Sequence, residues 1–114
     1  MKNFKQPGKM LSILAVADTL SGEAVKVGVL FGVAAHDALS GEPLEIATEG
    51  VFELPKATGS AWTVGAAIYW NGTACTTATT AGNLLIGCAT EAVLSAGALG
   101  TVRLNGAVPA AVTA

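Results

Sequence analysis

Charge is what this sequence has least of. Asp, Glu, Lys and Arg make up 12% of its 114 residues, about half the usual ~25%. A globule of 11.3 kDa exposes roughly 5,700 Å². The six basic and eight acidic residues then leave one charge per ~400 Å², about the largest apolar patch that monomeric soluble proteins tolerate. Part of the surface is therefore expected to face something other than water. Arg103 is the sole arginine and the net charge is -2, so no basic face recruits nucleic acid. The apolar run 27–35 is far short of the ~18 to 20 residues that cross a bilayer, which excludes a membrane span.

The reactive side chains are equally sparse. His36 is the only histidine, and a strand-end or turn role is expected for it, because triad chemistry needs three converging groups. One His and two Cys do not fill a four-ligand zinc site, and two cysteines make no disulfide framework, so Cys75 and Cys88 read as free thiols. Gly8-Lys9 is followed by Met10, which rules out a phosphate-binding loop. Glu42, Glu45, Glu49 and Glu53 lie close in sequence, but strand spacing spreads them over both faces as a solvated edge. No enzyme activity, cofactor or metal is expected. Lys2, Lys5 and Lys9 ahead of an apolar stretch and Ala15-Val16-Ala17 imitate a secretory signal, yet the stretch is shorter than such signals require. The expectation is synthesis in the cytoplasm without a signal peptide.

What is present reads as strands and turns. Hydrophobic residues make up 52% and there are 14 glycines. Short β-like runs cover 10–17, 24–30, 32–35, 44–48, 51–54, 66–70, 84–89 and 100–104, with turn residues between them. This pattern predicts an all-β fold, a small single-domain β-barrel or sandwich over 10–114, preceded by an extended N-terminal arm over 1–9. Ser21-Gly22-Glu23-Ala24-Val25 and Ser40-Gly41-Glu42-Pro43-Leu44 echo each other nineteen residues apart, which a two-strand unit used twice would explain. Asn71-Gly72 predicts a type I′ hairpin, with φ > 0 at both residues. Trp62 lies in a connection, where it either plugs one end of the core or anchors a partner. Tyr69 and Trp70 are strand neighbours that point to opposite faces, and Trp70 is taken as the outward, interface candidate.

The order of several fragments carries a resemblance. The opening 1–8, then Gly28-Val29-Leu30-Phe31-Gly32-Val33-Ala34, Gly41-Glu42-Pro43, the segments 47–56 and 65–70, Leu85-Ile86-Gly87 and Val102-Arg103-Leu104-Asn105-Gly106 together resemble the DUF2190 family of tailed-phage and prophage capsid cement, or decoration, proteins. The resemblance implies a viral structural protein that binds the outer surface of the mature head as a homo-oligomer, dimer or trimer. There it would reinforce contacts between major capsid subunits. The physics agrees, since a protein buried against itself and a shell needs few charges. Under that reading the arm residues Lys2, Asn3, Phe4, Lys5, Gln6 and Pro7 are the first candidates for capsid contact, joined by Trp62 and Trp70. The alternative is a virion-displayed β module that binds glycan or another host-surface ligand through those tryptophans.

Overall fold

A computed structural model describes residues 8–106 and the backbone of 110–111. β1 (Met10–Leu14), β2 (Ala24–Val27), β3 (Leu30–Ala34) and β4 (Pro43–Ala47) form one antiparallel sheet in the order β1-β4-β3-β2. A second sheet holds β5 (Glu49–Pro55), β6 (Ala67–Trp70), β7 (Cys75–Thr76), β8 (Leu84–Ala89), β9 (Leu99–Asn105) and β10 (Ala110–Ala111). Its order is β5-β9-β8-β6-β7, with β10 paired to β8. The fold is all-β, and no described residue is helical. Alternation sets the faces: in β4, Leu44 and Ile46 are buried while Glu45 between them is exposed, as the period of two requires.

The two sheets repeat one pairing pattern. Leu14 opposes Pro43 as Pro55 opposes Leu99, Ala24 opposes Val33 as Ala67 opposes Cys88, and Val33 opposes Ala47 as Cys88 opposes Arg103. The isolated bridge Thr19–Ala38 has its counterpart in Trp62–Val93. Connecting hydrogen bonds match too: Gly22 N–H donates to Ala34 O and Gly65 N–H to Ala89 O, both at 2.8 Å. Residues 10–47 and 49–105 are thus two copies of one four-strand module, and the second has one long insertion, carrying β7, besides two extra residues between Lys56 and Trp62 and one between Val93 and Leu99. That insertion closes the second module, since β7 pairs with β6 and also bridges Cys75 to Lys56 at the end of β5.

The first module has a further symmetry, the one the nineteen-residue echo announces. Ile13 opposes Leu44 as Gly32 opposes Val25, so strand pairs β1-β4 and β3-β2 exchange under a local two-fold. Gly22 and Gly41 both adopt φ of 87°, each within a turn closed by Glu23 N to Leu20 O and Glu42 N to Leu39 O. A positive φ at the third position, after a residue of negative φ, makes these type II turns, which glycine fits without strain.

Each module has its own core. Ala15, Val25, Ala34, Ala38, Leu44 and Ile46 fill the first, while Leu54, Trp62, Ile68, Trp70, Val102 and Leu104 lead the second. β3 belongs to both: Ala34 faces the first core, whereas Phe31 and Val33 face the second, where the Phe31 ring tilts against Trp70 at 5.4 Å.

Two turns differ from their sequence reading. The runs 24–30 and 32–35 are divided instead at Gly28-Val29, where Gly28 has φ of 60° and Val27 opposes Leu30, a two-residue type II′ hairpin. Asn71-Gly72 does not form a type I′ turn, because Asn71 keeps a negative φ. Its side-chain Oδ1 instead accepts hydrogen bonds from Thr73 N, Thr73 Oγ1 and Ala74 N. This Asx arrangement caps a longer loop in which Asn71 N–H donates to Ala74 O.

Candidate interaction surfaces

Each module ends in a tip made of two loops joined by its isolated bridge. At the first tip, Thr19 and Ala38 exchange both main-chain hydrogen bonds, at 2.8 and 2.9 Å. Asp18 Oδ1 accepts from Ser40 N and Asp37 Oδ1 from Ser21 N, at 2.9 and 2.8 Å, so each loop holds the other. Glu23 and Glu42 accept from Leu20 N and Leu39 N within their own loops. A cleft of about 480 Å³ lies here, lined by these four carboxylates with Leu20 and Leu39. All four carboxylates thus serve main-chain N–H groups, which assigns the cluster to holding the loops. Asp18→Ala and Asp37→Ala are each expected to cost about 1 to 2 kcal/mol, equally by the local two-fold, read as shifted urea midpoints with unchanged slope. A variant of full wild-type stability would show that its loop is held otherwise.

The second tip is held from beneath. Trp62 and Val93 exchange main-chain hydrogen bonds at 2.8 and 3.0 Å. Where the first module has Asp18 and Asp37, the bridge neighbours are now Ala61 and Ala92. Their work falls to Lys56, which occupies the position of Ala15. Its Nζ donates to the carbonyls of Ala57, Ser95 and Gly97 at 3.1 to 3.3 Å and stands 5.9 Å from the Trp62 ring centre, close enough for a cation–π contact. Lys56 is 4% exposed, and three carbonyl acceptors satisfy the three donors of an ammonium. The surface above is apolar: Val64 is 70% and Leu94 83% exposed.

The interface candidates read from the sequence separate into two groups. Trp62 and Trp70, offered as partner contacts, are packed inside the chain instead, at 1% and 8% exposure. Trp62 plugs the second core, and Trp70 faces inward against Phe31, leaving Tyr69 as the half-buried neighbour. Lys2, Asn3, Phe4, Lys5, Gln6 and Pro7 lie outside the described residues. Sequence reasoning missed Lys56 and the apolar second tip. Their signal was the uncharged span between Lys56 and Glu91.

The remaining reactive groups have structural surroundings. His36 is exposed at the end of β3; its Nε2 accepts from Glu45 N at 3.2 Å while Nδ1 lies 3.0 Å from Asp37 O, a geometry that suits the tautomer with the proton on Nδ1. Glu42, Glu45, Glu49 and Glu53 are all exposed, and no group of metal-ligating side chains occurs among the described residues. A second cleft of about 390 Å³ is lined by Lys9, Glu49, Gly50, Arg103, Leu104 and Asn105. Both cysteines are free.

Burial pushes the Cys75 thiol up from 9.0 to about 12. Between those values the unfolded state binds fewer protons than the folded one, so stability falls as pH rises through this window. Cys75→Ala is expected to remove about 2 kcal/mol of that loss at pH 10.5, measured as the difference between wild-type and variant unfolding free energies from pH 8 to 11. Parallel curves would show that Cys75 does not carry the alkaline sensitivity.

No curated protein and no solved structure matches the chain. A family model described as phage cement protein matches residues 5–104, a span that includes the first module, both tips and all of the second module but its last residue. On that match, the chain belongs to the phage cement protein family.

Proposed function

We propose that this protein decorates the outer surface of the mature phage head as a homo-oligomer and reinforces contacts between major capsid subunits, without catalysing any reaction. The cement role in the capsid comes with the family, and the match over residues 5–104 carries the reading. The tips support it. They present Leu20, Leu39, Val64 and Leu94 to solvent on loops held by paired hydrogen bonds, so little loop entropy is left to lose when a partner covers them. The arm residues Lys2 to Pro7 remain the proposed direct contact with the shell.

Such a protein acts by binding the expanded lattice better than the unexpanded one, which stabilises that state by RT ln(1 + [L]/Kd) per site. Contacts to several capsid subunits at once raise effective concentration, so weak individual contacts suffice. Co-sedimentation with expanded and unexpanded heads tests this: saturable binding to expanded heads alone is the expected result. Binding to neither shell would overturn it. The ligand-binding alternative loses its aromatic platform, because both tryptophans are buried.

A further inference from the structure

The two modules allow an internal comparison, because the tips share the strands that enter them and the bridge that joins their loops, although the second tip has two extra residues between Lys56 and Trp62 and one between Val93 and Leu99. We infer that the second tip, centred on Val64 and Leu94, is the surface through which two copies of this chain associate. This deepens the homo-oligomer part of the proposal above and rests on it.

The first tip shows how the module secures its loops at least cost: four surface carboxylates accept main-chain N–H groups. The second tip departs from that solution at every one of these places. Ala61, Ala66, Ala92 and Ala98 stand where Asp18, Glu23, Asp37 and Glu42 stand in the first. The restraint has moved below the surface, to a lysine that is 4% exposed and reaches main-chain carbonyls. Burying a cation and leaving the Trp62 Nε1 without a hydrogen-bond partner are both unfavourable for folding. Folding alone gives no reason to prefer this arrangement over the one a few strands away. Its product is a tip whose two loops carry, among the described residues, no charge at the surface except Glu91, and whose Leu94 is the most exposed of the large hydrophobic residues described.

Charge then selects the occupant. A two-fold contact places the same patch on both sides. Two first tips meeting would bring eight carboxylates together, a like-charge juxtaposition that costs several kcal/mol. Two second tips bring only the two copies of Glu91. With one charge against four, the second tip suits a second copy of the chain, while the acidic first tip is kept from the same contact.

The test compares equivalent substitutions at the two tips in the full-length protein, with light scattering at about 100 µM, where contacts with micromolar Kd are saturated. Wild type is expected to be associated. Leu94→Glu and Val64→Glu should run as monomers, with Kd raised ~1,000-fold or more, while Leu39→Glu at the first tip should stay associated. All three positions are exposed, so melting of the monomer should change little, and circular dichroism checks this. A monomeric wild type, an associated Leu94→Glu variant, or equal dissociation by Leu39→Glu would each overturn the inference. Head co-sedimentation is read separately: variants that stay associated yet lose the shell would assign the second tip to the capsid and leave the cement reading intact.

Discussion

Trp62→Ala is expected to lower the unfolding free energy by about 3 to 5 kcal/mol, the range for deleting a fully buried large aromatic. Trp62 is the largest of the fully buried side chains, and it belongs to no strand, being fixed by one bridge to Val93. The fold has made room for it. Gly100 on β9 sits directly beneath the ring, where a Cβ would collide with Trp62 Cζ3, Cε3 and Cη2. Removing the indole therefore leaves a cavity bounded by paired backbone, which cannot collapse far, and it strips Lys56 of its aromatic neighbour. Trp62→Phe should cost clearly less, because it keeps a ring and removes the unpartnered Nε1 donor. Gly100→Ala should be destabilising in wild type and nearly neutral in the Trp62→Ala background, a coupling that a double-mutant cycle reads directly. Urea unfolding measures all four variants. A loss below ~1 kcal/mol for Trp62→Ala would mean that the second core does not depend on its plug.

How much of this was legible in the sequence follows from which interactions are local. The strand 84–89 matches β8 and the run 44–48 nearly matches β4, because a short apolar run bounded by turn residues and the alternation of Leu44, Glu45 and Ile46 are both properties of neighbours. The β-rich class and the break at Asn71-Gly72 were readable for the same reason. Trp70 faces inward where the sequence reading places it outward, since alternation fixes that Tyr69 and Trp70 oppose each other but not which one meets Phe31, a residue some forty positions away. The hairpin at Gly28-Val29 was hidden inside an apolar run, as Gly-Val lacks the Asn-Gly signature of a tight turn. The nineteen-residue echo did report a real two-fold, since Asp18 and Asp37 hold each other's loops and both loops needed the same residues. The larger duplication left almost no trace in sequence. Its two copies secure the same backbone by different chemistry, surface carboxylates in one and Lys56 with Trp62 in the other, so the fold repeats where the residues do not.

Gly87→Ala should be among the most damaging single-methyl changes in the chain, at about 3 kcal/mol, the upper end of the usual cost of overpacking. Nothing in its backbone singles it out, for its φ lies outside the left-handed region. The constraint comes from the neighbouring strand: a Cβ would overlap the Arg103 carbonyl oxygen and approach the Arg103 carbon at 3.0 Å and Val102 Cγ1 at 3.3 Å. A side chain could rotate away from such a contact, but a carbonyl held in a ladder moves only with its strand. The β8-β9 ladder is short, pairing Gly87 with Leu104, Cys88 with Arg103 and Ala89 with Val102, and it joins the two halves of the second sheet. Gly22 provides the comparison. It has φ of 87° with open space around its Cβ position, so Gly22→Ala should cost only the ~1 to 2 kcal/mol of a left-handed alanine. Thermal unfolding of both variants checks the order: a midpoint depressed further by Gly22→Ala than by Gly87→Ala would show that β9 yields to the added methyl, and that the second sheet is not held by close approach of its backbones.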